Sequence, residues 1–390
     1  MTIQKTETFM TERLYYQDAF LASFDAVVVA CDKARRGYTI ELDRTAFFPE
    51  GGGQGGDRGT LDGVPVLDTK EEEGRILHYT EAALPVGKTV HGAVDFALRF
   101  RRMQCHSGEH LFSGLAHDLY GAENVGFHLG EHEMTVDTSR PLSPTELADI
   151  EARANAAVAK DLPIRVFFPT EEEAAALPYR SKIEITKDLR LVEIPGYDLC
   201  ACCAPHVRTT GQIGLVKVLD TEAHKGGMRI HLLCGGAAVD DYGARYRTDA
   251  ALSALLSAPQ DKLCDAVRRL LTENEALRAA ATDADRHLAE VLFAGALRQG
   301  QNLLFFDEKL GKAGIKRLSD LALPACRICG IFVGRDGGYQ YTVLSEKVDL
   351  AAIADDMNAL LCGRGGKNRT MLCGKCTATR AQIEQYFSDL

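Results

Sequence analysis

Two short pairs carry the chemistry of this sequence: His106-x-x-x-His110 and Cys202-x-x-x-His206. Residues four apart on a helix lie one turn apart on the same face, so His106 and His110 can close on one ion. The second pair sits in DLCACCAPHV, a run of small residues that reads as a tight loop before a strand. Three imidazoles and one thiolate make a nitrogen/sulfur set suited to tetrahedral zinc, one ion per chain. A lone H-x-x-x-H would be read as one face of a core helix. The matching C-x-x-x-H turns the reading toward a metal. Cys203 is three residues from His206 rather than four, which makes Cys202 the expected ligand.

A helix must carry the first pair. FRRMQCHSGEHLFSGLAHDLYG places apolar Met103, Leu111, Leu115 and Leu119 at helical spacing and stops at Gly121. Before it, AVVVACD, GYTIELD, VPVLD and RILHYT are short runs separated by turn residues, which predicts a small β-barrel-like domain over 1–96. After it, GFHLGEHEMTVDTS returns to strands, and Ser143-Pro144-x-Glu146 and Thr170-x-x-Glu173 are capping boxes that open helices. LRLVEI, HVRTTGQIGLVKVLDTE and MRIHLLCG read as strands of a second sheet. This α+β block, 97–249, holds all four candidate ligands. A helical linker over 250–299 and a C-terminal α/β unit over 300–390 complete an α+β multidomain protein. The last unit should hold strands near ICGIFVG and YQYTVLS and a helix over Asp349–Leu361.

The linker repeats Leu263, Val267, Leu270, Asn274, Leu277, Ala281, Ala284, Leu288 and Val291 at four- and three-residue steps. That stripe suits either a parallel helix pair, with Asn274 setting register and the chain a homodimer, or a long helix packed on its own chain.

Composition narrows the classes. The chain has 390 residues, 46% hydrophobic and 26% charged, which is ordinary globular usage and enough for two or three domains. No apolar run reaches the roughly 18 residues of a membrane helix, and MTIQKTETFMTERLYYQDAF lacks the apolar core of a signal peptide. Twelve cysteines without an export signal are expected as reduced thiols or metal ligands in a cytoplasmic protein. The net charge of -10 disfavours a generally basic nucleic-acid surface but leaves room for a local one. Such a stretch lies between Asp356 and Glu384, where Arg364, Lys367, Arg369, Lys375 and Arg380 meet no acid in sequence. Arg364, Lys367 and Arg369 alternate with Gly363, Gly365 and Gly366, combining cationic side chains and exposed amides suited to phosphates. The plain alternative is a solvated face.

Three further motifs need weighing. FFPEGGGQGGDRG (Phe47–Gly59) contains G-x-G-x-x-G, but a turn sequence follows instead of a helix, and no G-K-[ST] ends it. It is a loop that lets backbone approach a ligand, with Gln54 as its neutral hydrogen-bonding side chain, or a simple turn. His106-Ser-Gly-Glu109-His110 also fits H-x-x-E-H, in which the glutamate is general base for peptide hydrolysis. That inverzincin reading needs a further carboxylate ligand, Glu184 or Glu193, and leaves Cys202 and His206 unused. Cys326-x-x-Cys329 with Cys373-x-x-Cys376 could hold a second zinc, although buried thiols are the preferred reading.

Taken in order, these strings resemble the free-standing alanyl-tRNA editing proteins of the AlaX family, in their long form, and the editing and C-terminal domains of alanyl-tRNA synthetase. FFPEGGGQ (Phe47–Gln54) is similar to the family's glycine loop, His106–His110 to its H-T-x-x-H helix, and Cys202–Val207 to its C-x-G-T-H-V loop. Thr210–Gly214, Gly226–Ile230 and Gly126–Asp137 match further elements. Gly363–Gly374 resembles the domain shared with DHH phosphoesterases, without a DHH motif, so it should bind rather than cut.

The resemblance implies a zinc-dependent deacylase acting in trans on tRNA(Ala) mischarged with serine or glycine. His106, His110, Cys202 and His206 would hold zinc, Gln54 and Arg229 would line the substrate pocket, and Ser107 would meet the seryl hydroxyl. Arg364, Lys367 and Arg369 would contact tRNA. Ser107 replaces the usual Thr, and Ala204-Pro205 replaces Gly-Thr, which bears on substrate preference. Without an aminoacylation domain the chain should edit and not charge. Four protein ligands normally close a zinc site, whereas hydrolysis needs an open position, so a non-catalytic zinc-containing tRNA-binding protein is the alternative.

Overall fold

The computed structural model describes residues 10–130, 133–181 and 189–390. Its internal contacts divide the chain into two compact units, Met1–Thr248 and Asp249–Leu390.

In the first unit, six antiparallel strands close a barrel in the order Ser23–Lys33, Tyr38–Leu42, Arg75–Thr80, Val64–Glu72, Gly59–Leu61, Thr89–Val94. Alternation along each strand sends Phe24, Ala26, Val28, Ile40, Leu42 and Leu61 into its core. The barrel leads into the helix Phe96–Tyr120, capped by the Asp95 carboxylate, which accepts from Leu98 N. The helix stops where the sequence predicts, at Gly121 in the left-handed region (φ 61°). Barrel and helix are joined by a buried ion pair. Arg99 reaches Asp57 and the carbonyls of Ala46 and Ala19, while Asp57 accepts from Phe48 N at 2.6 Å. The pair clamps both ends of the glycine loop to the helix that bears His106.

The helix packs on a four-stranded antiparallel sheet ordered Val216–His224, Gly227–Cys234, Met134–Thr138, Asn124–Leu129. Met103, Leu111, Phe112 and Leu115 meet Met134, Val136, Ile230 and Leu232 in one core. The helix Pro144–Ala159 begins with the predicted capping box of Ser143 and Glu146, and Glu171–Ala176 with that of Thr170 and Glu173. A three-stranded sheet, Arg165–Phe167, Leu191–Ile194 and Asp198–Ala201, completes the unit's main elements. Two segments differ from the sequence reading. DLCA, expected as loop, is an edge strand paired with Leu191–Ile194. In HVRTTGQIG, expected as strand, Thr210–Ile213 is a short 3-10 turn.

The second unit holds a six-stranded sheet ordered Leu297–Gln299, Asn302–Asp307, Cys329–Arg335, Gly338–Leu344, Met371–Cys376, Gly363–Gly365. Only the pair Asn302–Asp307/Cys329–Arg335 is parallel among its described pairings. The helix expected over Asp349–Leu361 resolves into a 3-10 turn, Leu350–Ala352, and a helix Ala354–Leu360. The long helix Leu263–Ala294 splits its stripe. Ala289 is buried and Leu288, Leu292 and Phe293 pack on the unit's core, while Val267, Leu270 and Leu277 are exposed, as is Asn274.

Candidate metal centre

His106 and His110 project from one face of the Phe96–Tyr120 helix, and Cys202 and His206 come from the segment after the strand Asp198–Ala201. Their ligand atoms all lie within 4.8 Å of one another. The three imidazoles are buried, with ring centroids 4.7–5.5 Å apart, and Cys202 keeps partial exposure. Cys202 Sγ is 3.4 Å from His106 Nε2 and 3.3 Å from His206 Nε2. A tetrahedron built on zinc bonds of ~2.0 Å to nitrogen and ~2.3 Å to sulfur has N···S edges of about 3.5 Å. The donor set and spacing therefore fit such an ion.

What fixes the imidazoles is the other nitrogen of each ring. His106 Nδ1 donates to Gln54 Oε1 (3.2 Å) and His110 Nδ1 to Asp198 Oδ2 (2.9 Å), and His206 Nδ1 shares a hydrogen bond with Ser107 Oγ (3.0 Å). With each Nδ1 engaged, each Nε2 is the nitrogen left for the shared centre. Asp198 is itself held by Arg180 Nε at 2.8 Å. A close approach makes the Asp198 contact possible: a Cβ on Gly114 would stand 2.2 Å from Tyr197 O, so only glycine lets the helix seat beside that strand. Arg190 straps the ligand segment by donating Nη1 to Cys202 O (2.7 Å) and Ala204 O (2.9 Å).

The electrostatics divide the ligands: burial opposes a charge on His110, but Cys202 and Asp198 outweigh it and hold that imidazole well above its ordinary range. Burial opposes ionisation of the Cys202 thiol, but the surrounding His106, His206 and His110 outweigh it and hold the thiol well below its ordinary range. Burial pushes His206 down to about 3, against the pull of Cys202, which favours the neutral imidazole a ligand must be.

The glycine loop roofs the cluster. Gly52 (φ +60°) lies over His106 Cε1 and Cys203 Sγ, and Gly53 (φ +81°) abuts Phe127 so tightly that a Cβ would stand 2.5 Å from Phe127 O. Leu129 N donates to Gly53 O at 2.9 Å, stitching loop to sheet. Gln54 is buried in this roof. Its Oε1 is used by His106, and its Nε2 has no hydrogen-bond partner. A buried unpartnered donor beside a metal cluster is a ready contact for an acceptor on a ligand.

Other candidate residues fall elsewhere. Arg229 is not brought to the cluster. Its strand neighbour Ile230 faces the helix core, so Arg229 faces the opposite side, where it grips Asp137 through Nε (2.7 Å) and Nη2 (2.8 Å). Ser107 is at the cluster, accepting from Val207 N (3.2 Å) and bonded to His206 Nδ1. Glu109, the base of the peptidase reading, is held by Ser113 Oγ (2.6 Å) and by Asn124. Of that reading's extra ligands, Glu193 faces Arg165 at 3.6 Å and Glu184 lies outside the described residues. The two C-x-x-C pairs do not converge. Strand register sets Cys329 opposite Leu344 and Cys373 opposite Thr342, and no four-cysteine group gathers among the described residues. In the second unit Arg364, Lys367 and Arg369 are exposed, and Lys367 pairs with Asp355 and Arg369 with Asp349 (3.1 Å). Sequence reasoning missed Asp198, Arg180 and Arg190; the one available signal was an acid four residues before Cys202.

The site and its sheets belong to a known class of module. A family model described as the threonyl and alanyl tRNA synthetase second additional domain matches residues 189–231, which include Cys202 and His206. The alanyl-tRNA editing protein Aarsd1 of Danio rerio is 30% identical over 271 residues, covering 65% of this chain and 66% of the relative. The alanyl-tRNA editing protein AlaX-L of Pyrococcus horikoshii is 31% identical over 240 residues, 59% of each chain. An alanine–tRNA ligase of Pyrobaculum neutrophilum is 30% identical over 398 residues, 94% of this chain but 42% of the ligase. The chain thus spans two thirds or less of these curated relatives. It belongs to the AlaX-type alanyl-tRNA editing family. No helix among the described residues is long and apolar enough to cross a membrane.

Proposed function

We propose that this chain is a zinc-dependent deacylase that hydrolyses the ester of tRNA(Ala) mischarged with serine or glycine, releasing free amino acid and free tRNA. The observation that carries the reading is the convergence of three Nε2 atoms and Cys202 Sγ, each imidazole already oriented through Nδ1. His106, His110, Cys202 and His206 would hold one zinc, which when bound supplies Lewis-acid polarisation and substrate positioning.

The chain's own residues supply the rest. Gln54 Nε2, buried and without a partner, donates to a carbonyl or ribose oxygen of the aminoacyl adenosine. With zinc on His206 Nε2, the ring's Nδ1–H would donate to Ser107 Oγ, which also accepts from Val207 N, so the Ser107 O–H proton would be left to donate to a seryl hydroxyl. The methyl that a threonine would add is absent. Arg229, paired with Asp137 on the far face of its sheet, is a surface residue in this reading.

In the C-terminal unit, Arg364, Lys367 and Arg369 contact tRNA phosphates, Lys367 and Arg369 exchanging their carboxylate partners for them. The exposed Val267, Leu270 and Leu277 of the long helix, with Asn274 between them, support pairing with a second copy. The cytoplasm is the compartment that reduced cysteines and a tRNA substrate imply.

The test is release of serine from seryl-tRNA(Ala) by the purified protein, abolished by a chelator and restored by zinc. Serine release that persists after complete metal removal would refute the zinc-dependent reading. No hydrolysis by the zinc-loaded protein would favour a binding protein with a closed structural zinc.

A further inference from the structure

Next to the basic loop, the C-terminal unit contains a groove of about 530 Å³ between the helices Ala354–Leu360 and Arg380–Ser388. Leu360 and Ala381 give it apolar walls, and Asp356, Gln382, Gln385, Tyr386 and Asp389 supply its hydrogen-bonding groups. Tyr386 is buried, and its hydroxyl, which has no other partner, faces the Asp356 carboxylate, which acts on it both as a charge and as a hydrogen-bond acceptor. Burial first, and that charge second, push the phenol up to about 12, so at neutral pH it stays protonated.

The amides are half used. Gln382 Oε1 accepts from Thr379 N (2.8 Å) in a capping box, leaving its Nε2 to donate. Gln385 Nε2 donates to Asp389 (3.0 Å), leaving its Oε1 to accept. Asp356 makes no ion pair among the described residues, whereas its neighbour Asp355 takes Lys367 from the basic loop. The groove therefore offers carboxylates and an amide oxygen as acceptors and the Gln382 amide as donor, while Lys367 of the basic loop pairs with Asp355, the residue before Asp356.

We propose that this groove receives an unstacked guanine base of an RNA, while the adjoining basic loop takes its phosphates. The guanine edge presents N1–H and N2–H side by side, which a carboxylate accepts together, followed by O6, which the Gln382 amide donor meets. Adenine and cytosine put an acceptor where Asp356 needs a donor, and uracil offers one N–H between two carbonyls. Unstacked bases held between side chains and read on this edge are the usual way a protein recognises single-stranded RNA. The inference rests on the C-terminal unit being the RNA-contacting part of the proposed function, and is independent of the metal centre.

Calorimetric titration of the full chain with guanosine, inosine, adenosine and uridine 5′-monophosphates tests it. A bidentate base contact implies that the guanosine nucleotide binds about tenfold or more tightly than the adenosine nucleotide, with inosine, which lacks the N2 amine, weakened. Asp356→Asn should reduce guanosine affinity by a similar factor while the melting temperature holds, and Gln382→Ala should reduce it less. Equal affinity for guanosine and adenosine nucleotides, or an unchanged Asp356→Asn protein, would overturn the proposal. Hydrolysis of a minimal seryl ester by the parent protein is read separately. Its failure counts against the editing function and leaves the nucleotide result standing.

Discussion

In the first unit each histidine of the cluster is buried and held through Nδ1, by Gln54, Asp198 or Ser107. In the second unit the basic loop stands in solvent, and Lys367 and Arg369 lean on Asp355 and Asp349. The contrast separates two ways of preparing a site. A buried cluster is oriented before its ligand arrives, because unsatisfied imidazoles would be costly there. An exposed cation carries a provisional partner, since surface ion pairs are worth little and are readily traded for phosphate.

The largest effect should come from breaking the buried side. Cys202→Ala should strip the metal and abolish ester hydrolysis, whereas Cys203→Ala should retain both, as measured by elemental analysis and serine release. Equal metal loss in the two proteins would mean that the wrong cysteine was chosen. Next is the support behind the ligands. Asp198→Asn keeps the shape of the contact to His110 but not its charge, and metal affinity should fall about 10–100-fold in a competition titration with a chelating dye. An unchanged affinity would reduce Asp198 to a packing residue.

A third prediction concerns a buried histidine that is not a ligand. His78 has no exposure, lying between Thr45 Oγ1 (2.8 Å) and Ile40 O (2.9 Å), and burial pushes it from 6.5 down to about 4. The unfolded chain therefore takes up the proton first as pH falls. Stability from this group is complete above pH ~6.5 and is lost progressively toward pH ~4, by up to about 3 kcal/mol. Urea midpoints across that range should decline in the parent and decline less in His78→Asn. Parallel curves would place the acid sensitivity elsewhere.

The smallest effect belongs to the exposed side. Lys367→Glu with Arg369→Glu should weaken tRNA binding and lower its salt slope by about 2, with metal content intact. Removing the provisional partners sharpens the point: Asp355→Asn with Asp349→Asn should tighten tRNA binding. If neither pair of changes moves the binding isotherm, the loop is only a solvated surface.

What the sequence made legible follows from range. Helical spacing, capping boxes and the Gly121 stop are local, and the Phe96–Tyr120 helix and the Ser143 and Thr170 caps formed as read. The two metal pairs were legible because each is a four-residue spacing. The contacts that orient them were not, since Asp198 meets His110 across 88 residues and Gln54 meets His106 across 52. Arg229 looked like a pocket residue because a motif does not state which face of a strand it occupies. The basic loop looked unopposed because its acids, Asp349 and Asp355, lie just upstream of the acid-free window and fold back on it.

The central claim is the identity of the four ligands, and X-ray absorption at the zinc edge of the purified protein addresses it most directly. The account predicts one zinc per chain with three nitrogen neighbours at about 2.0 Å and one sulfur at about 2.3 Å. A shell with two sulfurs, or one of oxygens without sulfur, would contradict it.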